Sequence, residues 1–137
     1  MAAKPVYLLD SFALLAFLND EPGGARVQEV LTLAKDSQCR MVMSLINLGE
    51  VLYITGRNRG LPAAQMVQAL AESLPLELLD ASRDLILDAA HIKAHHTLSY
   101  ADALAVATAL REHAIILTGD PEYRTVEELV EVGWLVK

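Results

Sequence analysis

Four acidic residues, Asp10, Glu50, Asp102 and Asp120, stand where this sequence is otherwise apolar. Asp10 closes Val6-Tyr7-Leu8-Leu9, and Asp120 follows Ala114-Ile115-Ile116-Leu117-Thr118-Gly119. Glu50 lies within Leu45-Ile46-Asn47-Leu48-Gly49-Glu50-Val51-Leu52, and Asp102 is the only charge in residues 100–110. A carboxylate in apolar surroundings is strongly disfavoured unless positive charge compensates it. No lysine or arginine adjoins any of the four. A hard divalent cation, which prefers oxygen ligands, is the simplest compensating charge.

Three of the four also have a purely structural reading. Ser99-x-x-Asp102 has the form of a capping box, and helix starts favour acids. Asp120 in Thr118-Gly119-Asp120-Pro121 suits a turn, and Asp10 suits a helix cap. Glu50 has no capping role, because it falls inside a helical stretch beside Leu48, Val51 and Leu52. What separates the two readings is whether the four converge.

The pattern of elements says that they do. Short apolar runs alternate with longer helical patterns, the mark of βα units around a parallel sheet. Strands are expected at 5–10, 39–43, 76–79 and 114–118, with a short edge strand within 130–136. A helix runs from Phe12 toward Leu18, and after the turn at 19–24 a second carries Val27, Val30, Leu31 and Ala34 at helical spacing. Ser44 caps the helix of Glu50, which ends in the turn residues of 56–60. Leu61-Pro62 opens the next helix, Ser82 caps one running to about His96, and Ser99 caps the alanine-rich helix of Asp102. In a parallel sheet all strands deliver their C-terminal ends to one edge, where ligands bind. Asp10 and Asp120 stand at such ends, while Glu50 and Asp102 occupy early helical turns near the same edge.

At 137 residues the chain is expected to form one domain, and with 53% hydrophobic and 21% charged residues it should fold. Cys39 is the single cysteine and reads as a core thiol in a reducing compartment. The apolar run of 6–18 imitates a signal peptide, but Asp10 breaks it and no small-residue cleavage pattern follows. No segment reaches the roughly 20 apolar residues of a membrane span, so a cytoplasmic protein is expected. The net charge of −7 argues against a passive nucleic-acid binder. It is compatible with a nuclease whose acids are offset by metal, and with a basic protein partner.

Four motifs, taken together, resemble those of PIN-domain ribonucleases. Leu9-Asp10-Ser11-Phe12-Ala13-Leu14-Leu15-Ala16 followed by Glu21-Pro22-Gly23 is similar to the opening motif. Asn47-Leu48-Gly49-Glu50-Val51, Tyr100-Ala101-Asp102-Ala103-Leu104-Ala105 and Leu117-Thr118-Gly119-Asp120-Pro121-Glu122-Tyr123 follow in the family's order. The compact form is similar to VapC-type toxins of toxin–antitoxin pairs. The resemblance implies one PIN-like α/β domain over 1–137, with a central parallel sheet of four to five strands flanked by helices. It implies an endoribonuclease dependent on one or two Mg²⁺ or Mn²⁺ ions, cutting single-stranded regions of structured RNA. A cognate antitoxin, expected to be basic, would block its acidic groove, and the toxin would be a homodimer.

The family's acidic quartet maps onto Asp10, Glu50, Asp102 and Asp120, and supporting hydroxyls onto Ser11 and Thr118. The role of Glu122 stays open. On this reading Asp10, Asp102 and Asp120 hold the principal ion, and Glu50 positions a second ion or the attacking water. Arg57 and Arg59 form the only compact cationic patch and are candidates for RNA contact, a solvated helix end being the other reading. His91 and His95 have a zinc-like i, i+4 spacing without a companion acid, and read as a solvated face. Two other functions stay in view: a PIN nuclease of RNA maturation without an antitoxin, and a non-catalytic PIN-like RNA- or protein-binding module.

Overall fold

A computed structural model describes residues 3–136. Five parallel strands form its centre: β1 (Val6–Leu9), β2 (Arg40–Ser44), β3 (Glu77–Leu79), β4 (Ile115–Thr118) and β5 (Val132–Trp134). They lie in the order β3-β2-β1-β4-β5. Around them run α1 (Ser11–Leu18), α2 (Gly24–Lys35), α3 (Leu45–Arg59), α4 (Leu61–Ser73), α5 (Arg83–His95) and α6 (Tyr100–Glu112). The expected four to five strands are thus five, flanked by helices.

Period-two alternation sends successive strand residues to opposite faces. Leu8, Val42 and Ile116 pack into one core with Leu85 and Ala89 of α5 and Leu104 of α6. Leu9, Met41, Met43 and Leu117 enter the other, with Leu14, Val27, Val30, Leu48 and Val51 from α1, α2 and α3. Both faces are covered, which is why these strands read as continuous apolar runs. The buried flank of α6 is largely alanine, from Ala103 to Ala109, so its backbone can approach the sheet closely. At the start of α2, Gly24 has no room for a side chain. A Cβ there would stand 2.6 Å from the carbonyl oxygen of Ala16.

The strand order reverses between β1 and β4, which are direct neighbours with Leu9 in register with Leu117. This switch point is where open α/β sheets bind ligands beyond the strand ends. Asp10 is the first residue past β1, and Thr118 is the last of β4. One element was not expected. Pro121–Val126 coils into a 3-10 helix, with Asp120 as its cap and Tyr123 and Val126 buried in the core.

Candidate functional site

Asp10 is 1% exposed and caps α1. One of its carboxylate oxygens accepts the backbone N–H of Ala13 at 2.8 Å. The other accepts the hydroxyl of Thr118, across the β1–β4 junction. The same hydroxyl oxygen accepts the N–H of Asp120 at 3.0 Å, so Thr118 joins the two acids. The carboxylate of Asp120 in turn accepts the N–H of Glu122 at 2.9 Å and starts the 3-10 helix.

Only half of the capping box at Asp102 forms. The Ser99 hydroxyl accepts the N–H of Asp102 at 3.1 Å. The reciprocal contact belongs to another residue, because the N–H of Ser99 donates to Glu122 at 3.4 Å. The Asp102 carboxylate is therefore released from capping, and its Oδ1 accepts the hydroxyl of Tyr123 at 3.0 Å. Carboxylate oxygens of Asp102, Asp120 and Glu122 lie within 4.8 Å of one another. Asp10 stands behind them, close enough for like-charge interaction with both Asp102 and Asp120.

Among the described residues no lysine or arginine forms an ion pair with Asp10, Glu50, Asp102, Asp120 or Glu122. Burial pushes the Asp10 carboxyl from 3.8 up to about 7, against the lowering effect of its Thr118 and Ala13 hydrogen bonds. Burial also raises Asp102 to about 7, helped by the hydrogen bond with Glu122 and the nearby charges of Asp10 and Asp120. The Tyr123 hydroxyl pulls Asp102 the other way. Two acids that hold protons near neutrality, in contact with a third and a fourth, mark a place where positive charge is wanted.

The expected residues divide accordingly. Asp10, Asp102, Asp120 and Thr118 meet at the switch point. Glu50 does not join the oxygen cluster. It is half-buried on α3, three residues after Asn47 and so on the same helix face. Asn47 donates its side-chain amide to the carbonyl of Ala101 at 3.1 Å, which puts that face of α3 against the start of α6. Glu50 is thus on the α3 face that meets α6, outside the cluster. The Ser11 hydroxyl turns away from the acids and donates to the carbonyl of Asn47 at 3.1 Å, tying α1 to α3.

Arg57 is about 10 Å farther along α3 than Glu50. It stacks 5.3 Å over the Tyr53 ring, in the wall of an open groove of about 720 Å³ between α3 and α4. Arg59 is exposed at the end of α3. Neither touches the acidic cluster. Two participants were not singled out from sequence. Tyr123 stood only at the end of the motif that carries Asp120, and Asn47, within the motif of Glu50, is fully buried with its Oδ1 lacking a hydrogen-bond partner.

Solved structures with this fold include DNA-bound VapBC from Salmonella typhimurium, 18% identical with a TM-score of 0.74, covering 94% of this chain and 97% of that one. VapBC2 from Rickettsia felis, bound to a promoter DNA fragment, is 19% identical with a TM-score of 0.73, covering 94% and 98%. VapC20 of Mycobacterium tuberculosis, a toxin that cleaves the sarcin–ricin loop, is 20% identical with a TM-score of 0.71, covering 92% and 98%. No curated protein matches the chain in sequence. The family model of the PIN domain matches residues 7–129, nearly the whole length, and the chain belongs to that family.

Proposed function

We propose that this chain is a metal-dependent endoribonuclease, cutting single-stranded regions of structured RNA as the toxin of a toxin–antitoxin pair. The observation that carries the reading is the convergence of Asp102, Asp120 and Glu122 within 4.8 Å, with buried Asp10 behind them and no ion-paired lysine or arginine among the described residues. The donor set fits Mg²⁺ or Mn²⁺: it is all carboxylate oxygen, without the imidazole or thiolate that would favour zinc. Asp102, Asp120 and Asp10 would hold the ion, directly or through water, with Glu122 as a further ligand. One or two such ions would supply a nucleophilic water at neutral pH and offset charge on the phosphate.

The chain's own groups set up the rest. Thr118 orients Asp10 and holds the backbone that carries Asp120. Glu50, outside the cluster, would accept a proton from an attacking water or hold a second ion. Arg57 and Arg59 would meet the RNA backbone away from the cut. RNA must be drawn in by local cations, since the chain's net charge of −7 repels it.

The same charge favours a basic partner, and two of the solved relatives are VapBC assemblies, which supports a cognate antitoxin. Exposed Met66 and Leu70 on α4 offer apolar surface to a second copy in a homodimer. No helix of the described residues is long and apolar enough to cross a membrane, consistent with work on cytoplasmic RNA.

The deciding experiment incubates the purified chain with total cellular RNA, with and without Mg²⁺ or Mn²⁺, and maps new ends. Site-limited cuts that need metal and vanish in Asp10→Ala establish the activity. Intact RNA under every metal, with copurified inhibitor excluded by denaturing purification and refolding, refutes it.

A further inference from the structure

We infer that the Tyr123 hydroxyl is a positioning group for Asp102, fixing that carboxylate so that it can serve the cation; the role rests on the metal-dependent reading above. Tyr123 is completely buried, seated in the α5–α6 core by the 3-10 helix that follows Asp120. Packing alone accounts for its ring but not for its hydroxyl. A buried phenol needs a hydrogen-bond partner, and this one donates to Oδ1 of Asp102 at 3.0 Å.

Among the described residues, no other hydroxyl and no N–H donates to the Asp102 carboxylate. Rotation about the last side-chain bond of an aspartate is soft, so a carboxylate without that donor would swing. With Oδ1 engaged by Tyr123, Oδ2 receives no hydroxyl and no N–H. The Asp102 carboxyl meets Glu122 by a hydrogen bond only while the two share a proton, and that proton leaves when a cation binds. Asp10 shows the same device, one oxygen being held by Thr118. Both buried acids are therefore oriented by neutral hydroxyls, Thr118 on Asp10 and Tyr123 on Asp102 with a smaller pull on Asp10, which fixes direction without cancelling charge. Outer partners of this kind govern metal affinity because they set the orientation of the ligating group.

Tyr123→Phe keeps the ring and removes the one proton at issue. Calorimetric titration of the metal-free chain with Mn²⁺ should give an affinity about 10–100-fold below that of the parent. Val126→Ala is the packing control: it loosens the same 3-10 helix in the same core, touches no acid, and should leave Mn²⁺ affinity at the parent level. Equal affinity in Tyr123→Phe and parent overturns the inference, as does an equal loss in Val126→Ala. Asp102→Asn separates the two layers of argument. If it binds Mn²⁺ like the parent, the metal reading itself falls. If it loses binding while Tyr123→Phe does not, only the positioning role falls.

Should Tyr123→Phe fail to fold, the parent chain still answers. The Tyr123 hydroxyl proton, followed by NMR in protein labelled at tyrosine, should shift when Mg²⁺ is added. A resonance that ignores Mg²⁺ overturns the assignment.

Discussion

Asp102→Asn should make the metal-free chain more stable at pH 8, and by a much smaller margin at pH 5. The replacement keeps the shape, and the amide can still accept from Tyr123 and donate to Glu122, the two side chains that contact Asp102. What it removes is a charge. In the folded chain the Asp102 carboxyl holds its proton up to about 7, against 3.8 for an ordinary aspartate. Between those values the folded state binds a proton that the unfolded chain has released, so stability falls as pH rises through this window. A shift of about three units sets a ceiling of about 4 kcal/mol. The repulsion is shared with Asp10 and Asp120, and water at the mouth of the site screens part of it, leaving about 1–2 kcal/mol.

For a chain of this size that corresponds to about 3–8 °C in Tm. Thermal unfolding in EDTA, at pH 5 and at pH 8, measures it directly. The variant should melt higher at pH 8 and about a third as far above the parent at pH 5, where the folded parent is protonated but its unfolded chain is already largely ionised. Added Mg²⁺ should then raise the parent at pH 8 and not the variant. A variant that melts lower at pH 8, or that gains equally at both values, would refute the electrostatic account and make Asp102 a structural residue.

Thr118→Val is nearly isosteric but strips the donor from Asp10 and the acceptor from the Asp120 N–H. Urea unfolding should show a loss of about 1–3 kcal/mol, with RNA cleavage lost as well. Glu50→Gln should lower the cleavage rate while Mn²⁺ affinity, read by calorimetry, stays near the parent value, because Glu50 lies outside the oxygen cluster. Replacing Arg57 and Arg59 together with Gln should weaken RNA binding and reduce the slope of log affinity against log salt by about 1–2. An unchanged slope removes both from the RNA path.

The strands and the acids that end them were legible because a strand buried on both faces leaves an unbroken apolar run, and Asp10 visibly stops one. That Asp10 and Asp120 share one edge followed from parallel topology, whereas the contact of Asp10 with Thr118 depends on β1 and β4 being neighbours, a strand order that the apolar runs do not give. Helical positions were read less well. Each residue turns about 100° from the last, and that rotation carries the Ser11 hydroxyl from the acids to the carbonyl of Asn47. The same rotation buries Leu48 and Val51 completely or nearly so and leaves Glu50 half-buried. Apolar neighbours in sequence therefore overstated how deeply Glu50 is set. Glu122 and Tyr123 depend on the 3-10 helix after Asp120. A turn written Asp120-Pro121-Glu122-Tyr123 does not say whether its second acid faces water or its tyrosine reaches back 21 positions to Asp102.

Among the described residues the donors that hold the two buried acids are neutral: the Ala13 N–H and the Thr118 hydroxyl for Asp10, and the Tyr123 hydroxyl, which holds Asp102 and pulls more weakly on Asp10. Neutral donors orient a carboxylate and leave its charge in place, whereas an arginine would orient and cancel it together. The missing positive charge can then come from a proton or from a metal ion, and the two must compete. With Asp10 and Asp102 both pushed up to about 7, protons win in acid and a cation wins above neutrality. Mn²⁺ affinity should rise about 10-fold per pH unit for each of these groups that must be deprotonated, between pH 5.5 and 7, then flatten toward pH 8.5. Calorimetry in buffers of different ionisation heat would also count the protons released, expected to be between one and two at pH 6. Affinity that is flat across this range, with no proton release, would mean that the buried acids are already ionised and that the neutral donors do more than orient them.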